Sequence, residues 1–121
     1  MNALSGKPVK LRGSKPVISI IFGNASGGVY RLFLFDAENK NPKLIGQGVS
    51  TDNIPDTFTI PAKTPPQAVH IDFSVHAPLD TESTPVTLVL AEGGTPYWTH
   101  TYIVEKQSYN KGLSDHFFLT N

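Results

Sequence analysis

The sequence predicts an all-β domain, and three observations lead to that prediction. Apolar and polar residues alternate with a period of two in several short runs, most clearly at 69–76, where one side carries Val69, Ile71, Phe73 and Val75. No run of ten or more residues keeps the three-and-four spacing of an amphipathic helix. Ten prolines and ten glycines interrupt the chain too often for long helices. We therefore expect a single-domain antiparallel β-sandwich of seven to nine strands, with a small closed barrel as the alternative.

The start of the chain divides into an arm and the first predicted strand pair. Residues 1–14 carry several basic side chains without a long apolar run, so we expect either a flexible basic arm or an edge strand. Residues 15–121 are expected to form the sandwich. Within it, the segments 15–23 and 29–36 are largely apolar on both faces, and the short connection between them ends in two glycines that permit positive φ angles. This pattern predicts a hairpin.

The middle of the chain repeats the same alternation of strands and turns. Turn-forming residues at 36–42 predict a second hairpin, with 43–49 as its returning strand. Gly46 and Gly48 inside that strand indicate a bulge or a close approach of the backbone. A short strand rich in β-branched residues is predicted at 57–60.

The last part of the chain predicts one further hairpin and a closing strand. Residues 85–91 and 97–104 are expected to pair through the connection 92–96, which contains two glycines. Residues 105–115 are polar and are expected to form a loop, followed by a short strand at 117–119. The overall pattern is typical of Ig-like or jelly-roll-like sandwiches, an architecture that hosts many unrelated activities.

Composition limits the classes of function. Ten basic and ten acidic side chains give a formal net charge of zero, and the scattered lysines do not form the concentrated basic face that nucleic acid binding needs. The lack of cysteine excludes disulfides, thiolate nucleophiles and cysteine-ligated zinc. We expect no membrane partner, because no apolar run approaches the ~20 residues that cross a bilayer. The predicted location is the cytoplasm, or outside the cell by a route without a conventional signal peptide, and the neutral balance favours a homo-oligomer.

The first candidate site is a metal site on the polar face of one predicted strand, which carries His70, Asp72 and His76. Neighbours on one strand face lie about 6.5–7 Å apart. A zinc or manganese site needs three or more converging ligands, so His100 or His116 would have to approach from another strand. An ordinary solvent-exposed strand face explains the same residues.

The second candidate site is the densest aromatic stretch of the chain, which carries Tyr97, Trp98, His100 and Tyr102. Alternation predicts that Trp98, His100 and Tyr102 share one face and that Tyr97 lies on the other. Exposed Trp and Tyr rings are suited to stacking on a sugar or to contacting a protein partner. Alternatively, the single tryptophan of a small β-domain packs in the core.

The predicted function follows from these candidates and from the motifs that are missing. No nucleophile elbow, phosphate-binding loop or cofactor motif appears, and no cofactor is expected. We expect a non-enzymatic recognition module that binds a protein partner or a carbohydrate through an exposed sheet face and the loops at 50–55, 77–84 and 105–115. Two alternatives remain open: a small histidine-based metal-binding protein or metal-dependent enzyme, and a structural or assembly subunit that associates through strand edges.

Overall fold

The protein, described here from a computed structural model, consists of nine strands in two sheets, and no helix occurs in the residues that the structure describes. These residues are 3–23, 27–36, 40–50, 55–61, 67–76, 83–105 and 111–120. The strands are β1 (Lys7–Lys10), β2 (Val17–Phe22), β3 (Gly27–Phe35), β4 (Lys43–Ser50), β5 (Asp56–Thr59), β6 (Gln67–His76), β7 (Ser83–Glu92), β8 (Thr95–Glu105) and β9 (Lys111–Thr120). No helix in these ranges has the length and apolar character needed to span a bilayer.

The two sheets confirm the predicted sandwich. One has five strands in the order β1-β9-β6-β3-β4, and the other has four in the order β5-β2-β7-β8. Because the sheets do not join into one cylinder, the closed-barrel alternative is wrong. The neighbours are antiparallel except for β1, which runs parallel to β9 at the edge of the five-stranded sheet.

The inner faces of the sheets enclose one hydrophobic core. The alternation predicted for β6 and β7 is confirmed, since these inward residues are at most 4% exposed: Val69, Ile71, Phe73, Val75, Val86, Leu88 and Leu90. Phe22 of β2 contacts Tyr30 and Phe73 of the opposite sheet, with ring centroids 6.0 and 6.3 Å apart. These ring contacts bridge the two layers.

The hairpin predicted from 15–23 and 29–36 is wrong. β2 pairs with β5 and β7, whereas β3 pairs with β4 and β6, so the chain crosses from one sheet to the other between them. A local turn signal does not reveal whether the next strand stays in the same sheet. Gly28 instead serves close packing, because a Cβ there would lie 2.4 Å from the Phe22 ring.

The other two predicted hairpins are confirmed. β3 pairs with β4, and the register shift leaves Ile45 as an extra residue, which is the predicted bulge. A close backbone approach is present as well, since a Cβ at Gly46 would lie 2.7 Å from the Phe58 ring. β7 and β8 pair through a two-residue turn in which Gly93 and Gly94 both have positive φ.

The last strand is longer than predicted. β9 begins at Lys111, so residues 111–115, which were predicted as part of a loop, belong to a strand. The alternation of apolar and polar residues at 113–119 is interrupted because the polar Asp115 takes an inward position. The predicted contact loops fall largely on 51–54, 77–82 and 106–110, which lie outside the described residues.

Candidate functional site

Strand β8 does not present all four predicted ligand-binding residues at a surface. Tyr102 is fully buried, and its hydroxyl donates a 2.6 Å hydrogen bond to Asp115. Burial is the main reason that the pKa of Tyr102 is strongly raised. His100 is half-buried with its ring 4.6 Å from the Tyr102 ring. Tyr102 is therefore a core residue, and its side chain is not available to a partner.

Tyr97 and Trp98 lie together because of a bulge in β8. Leu90 pairs with Trp98 and Ala91 pairs with Pro96, which leaves Tyr97 as the additional residue. Both aromatic side chains are partly buried and pack against the core. The prediction that they face opposite sides is thus wrong, because simple alternation does not hold across a bulge.

A groove of about 620 Å³ lies between β1 and the first part of β8. Tyr97 and Trp98 line one side, and residues 8–12 line the other. The Arg12 guanidinium carbon lies 5.6 Å from the centre of the Tyr97 ring, which is a cation–π distance. This groove, which we call the β1–β8 groove, brings two of the predicted ligand-binding residues to the surface at the open side of the sandwich.

The β1–β8 groove has a polar group buried beside it and a basic rim. The Tyr97 hydroxyl oxygen is buried, and no described residue gives it a hydrogen bond of standard geometry. Burial raises the pKa of Tyr97, and the nearby Arg12 backbone amide opposes this. Four of the ten basic side chains lie within residues 7–15. The nearby Glu92 accepts a 3.0 Å hydrogen bond from the Lys15 amide, so the positive charge is only partly balanced.

The backbone of β1 also faces this groove. Leu11 donates its amide to the Thr120 carbonyl at 2.8 Å, so its neighbour Lys10 directs its own amide and carbonyl to the opposite side of the strand. Among the described residues β1 pairs only with β9. The edge that β1 turns toward the groove therefore offers backbone hydrogen-bonding groups to an incoming chain.

Little aromatic ring face is left free in the groove. Trp98 lies against Phe117 at 5.0 Å and is stacked with His100 at 6.3 Å. The Tyr97 ring is covered by Arg12. Sugar recognition uses an open ring face, so this arrangement fits the edge-on contact of a side chain better than the stacking of a sugar.

The histidines form a pair instead of the predicted constellation. His70 and His116 lie directly opposite each other on β6 and β9, with ring centroids 5.1 Å apart and planes at 22°. Phe35 and Phe118 flank the pair at 4.1 and 5.7 Å. Burial, followed by the neighbouring His116, lowers the pKa of His70, while Asp72 opposes the shift. His70 Nε2 is buried, and it finds no hydrogen-bond partner within the described ranges.

Among the described side chains, the predicted metal ligands are not brought together. In the described part of the chain, no three His, Asp or Glu side chains are placed to hold a metal ion. Asp72 accepts a 2.6 Å hydrogen bond from Ser114, and His100 lies on the other sheet. The backbone of His76 belongs to β6, but its side chain lies outside the described residues.

Asp115 is a polar centre that the sequence did not reveal. This carboxylate is 6% exposed and accepts hydrogen bonds from the Leu4 amide at 2.6 Å, the Ser5 amide at 2.8 Å and the Tyr102 hydroxyl. Burial alone would raise the pKa of Asp115, but these hydrogen bonds outweigh it and leave the pKa lowered. The Leu4 and Ser5 amides belong to the turn that leads into β1, in which Ser5 and Gly6 both have positive φ. Because Asp115 binds these amides, it fixes the arm that forms one wall of the groove. A usable signal is the apolar register of Leu113, Phe117 and Leu119, which implies an inward position at 115.

Comparisons of the chain with protein-family models, with curated proteins and with solved structures find no match. The function is therefore inferred from the geometry of the chain itself.

Proposed function

We propose that this chain is a non-enzymatic recognition module whose β1–β8 groove holds an extended segment of a protein partner. The observation that carries the proposal is the combination of a free strand edge with an aromatic floor. The edge of β1 supplies the Lys10 amide as a donor and the Lys10 carbonyl as an acceptor, while Tyr97 and Trp98 supply apolar contact area opposite it. An added strand would form hydrogen bonds to β1 and place alternate side chains against the two rings.

The charge of the rim favours an acidic segment. Lys7, Lys10, Arg12 and Lys15 lie within residues 7–15, and two carboxylates lie beside this arm, Glu92 and the buried Asp115. Complementary charge raises the rate of encounter and discriminates against basic partners. An acidic peptide with apolar residues at alternate positions matches both the rim and the floor.

A protein segment is favoured over a carbohydrate because the rings lack open faces. Phe117 and His100 lie against Trp98, and Arg12 covers Tyr97. A sugar would have to displace one of these neighbours before it could stack. A peptide needs only the ring edges and the β1 backbone.

A peptide selection tests this proposal. A library of random decapeptides is selected against the chain, and the enriched peptides are measured by the fluorescence of Trp98, the only tryptophan. We expect acidic peptides with alternating apolar residues that change the Trp98 emission. Arg12→Glu should weaken their binding by about tenfold or more because a rim charge is reversed.

The matched control is Arg31→Glu, which makes the same change of net charge at an exposed arginine on the outer face of the five-stranded sheet. This variant should bind within about twofold of the original chain, apart from the general effect of net charge. Enriched peptides that leave the Trp98 emission unchanged, or equal losses in both variants, would overturn the proposal. If charged oligosaccharides change the Trp98 emission and no peptide is enriched, the ligand of the groove is a sugar and not a protein segment.

A further inference from the structure

The outer edge of β4 is a second candidate binding surface, and it lies on the opposite side of the sandwich from the β1–β8 groove. β4 ends the five-stranded sheet and pairs only with β3 among the described residues. β5 lies beneath it in the other layer, where Phe58 packs under Gly46, and so does not extend the sheet. The backbone groups that β4 turns away from β3 are therefore open to another strand.

The four sheet edges differ in how they are protected. β1 and β5 have only four residues each, so each offers few backbone groups to a partner. β8 is long, but its first part lies across the β1–β8 groove from residues 8–12. β4 has eight residues, of which Lys43 at its start is the sole charged one. Beyond the bulge at Ile45, residues 46–50 form an uncharged edge.

Exposed apolar side chains are concentrated beside this edge. Val49 is 68% exposed, and Val29, its direct partner on β3, is 54% exposed. Leu44 is 44% exposed on the same strand. They account for three of the five large apolar side chains that are exposed in the described ranges, and all three lie on β3 or β4. Val29 and Val49 thus form an exposed apolar pair beside the edge, and Leu44 lies beyond the polar pair of Arg31 and Gln47.

We propose that β4 pairs antiparallel with β4 of a second copy of this chain and joins two five-stranded sheets into one continuous sheet. Such pairing about a twofold axis satisfies both edges with the same residues. It also sends the two Lys43 side chains to opposite ends of the strand pair, beyond the screening length of about 8 Å at physiological salt. With a formal net charge of zero, the two copies have no overall repulsion. A second copy therefore fits this edge better than a charged partner would.

Sedimentation velocity measures the association of the 121-residue chain from the low micromolar to the millimolar range. We expect a monomer–dimer equilibrium, and we expect Val49→Lys to weaken it by about tenfold or more. The control is Ile103→Lys, which adds the same charge at a side chain that is 41% exposed on the other sheet. This control should dimerise like the original chain. Both variants replace exposed residues, and circular dichroism verifies that they fold.

Cross-linking provides a second, independent measurement, since the chain has no cysteine of its own. Gln47→Cys on β4 should form a covalent dimer with a short bis-maleimide, whereas Ile103→Cys should not. A chain that stays monomeric at millimolar concentration would overturn the proposal, as would equal effects of the two lysine variants or equal cross-linking at both positions. None of these outcomes depends on whether a peptide binds in the β1–β8 groove.

Discussion

Replacing Asp115 by asparagine tests the most connected polar group of the structure. The carboxylate accepts three hydrogen bonds, from the Leu4 amide, the Ser5 amide and the Tyr102 hydroxyl. Hydrogen bonds to a charged group contribute about 1.5–3 kcal/mol each, and a buried donor left unsatisfied costs about 1–3 kcal/mol. The asparagine oxygen can still accept from one or two of these donors, but its NH₂ group faces the remaining one.

We therefore expect Asp115→Asn to lower the free energy of unfolding by about 3 kcal/mol at neutral pH. The corresponding fall in the melting temperature is roughly 10 °C for a chain of this size. Urea denaturation followed by Trp98 fluorescence measures the change. Trp98 is a suitable probe because it packs against Phe117, two residues from Asp115 on β9.

The loss of stability in Asp115→Asn should depend on pH in a defined direction. The pKa of Asp115 in the folded protein lies below its ordinary value of 3.8, so the folded state holds fewer protons than the unfolded state at moderately acidic pH. The stabilisation is complete well above pH 3.8 and disappears as the pH falls through the folded pKa. The difference between the original chain and Asp115→Asn should therefore narrow on acidification. Equal stabilities at neutral pH would refute the reasoning, as would a gap that stays constant at the lowest pH where the chain folds.

Asp72→Asn is the control for this experiment. Asp72 lies on the outer face of the five-stranded sheet and accepts one exposed hydrogen bond, from Ser114. Its replacement should change the free energy of unfolding by less than about 1 kcal/mol. A loss as large as that of Asp115→Asn would show that the burial of Asp115 has no special role.

Two further predictions concern packing and the histidine pair. Gly28→Ala would place a methyl group 2.4 Å from the Phe22 ring and should lower the free energy of unfolding by about 2 kcal/mol. The control is Gly112→Ala, where no atom lies nearer than 4.0 Å, and its change should stay within about 0.5 kcal/mol in the same denaturation assay. Similar losses in the two variants would contradict the packing argument. Because the folded pKa of His70 is below 6.5, acidification below that pH should destabilise the protein, and His70→Gln should flatten the dependence of the melting temperature on pH. An unchanged dependence would contradict this role of the His70–His116 pair.

The sequence predicted the strands of the core and the pairings β3–β4 and β7–β8, but not the change of sheet between β2 and β3. β6 and β7 are uninterrupted patterns of period two, so their inward residues could be identified directly. The link from β2 to β3 contains turn-forming residues whether the chain stays in one sheet or crosses to the other. The sheet of β3 is decided by packing between layers, such as Phe22 on Gly28, which a local pattern does not encode.

The candidate site was predicted only in part, again because a local pattern does not encode how strands pair. Tyr97 and Trp98 were identified by their chemistry, but the bulge that turns them to one side depends on the register between β7 and β8. Asp115 was missed because a buried carboxylate breaks the apolar alternation that marks a strand. Its donors at Leu4 and Ser5 come from the other end of the chain, and no pattern in a short window connects them.

The pairing of β1 with β9 has a consequence for biosynthesis. Leu4 and Asp115 are 111 residues apart, and a ribosome that adds about 5–20 residues per second completes β9 on the order of ten seconds after β1. During that interval β1 lacks β9, the strand with which it pairs. Newly made chains therefore pass through a stage in which the first strand is the last to find its place.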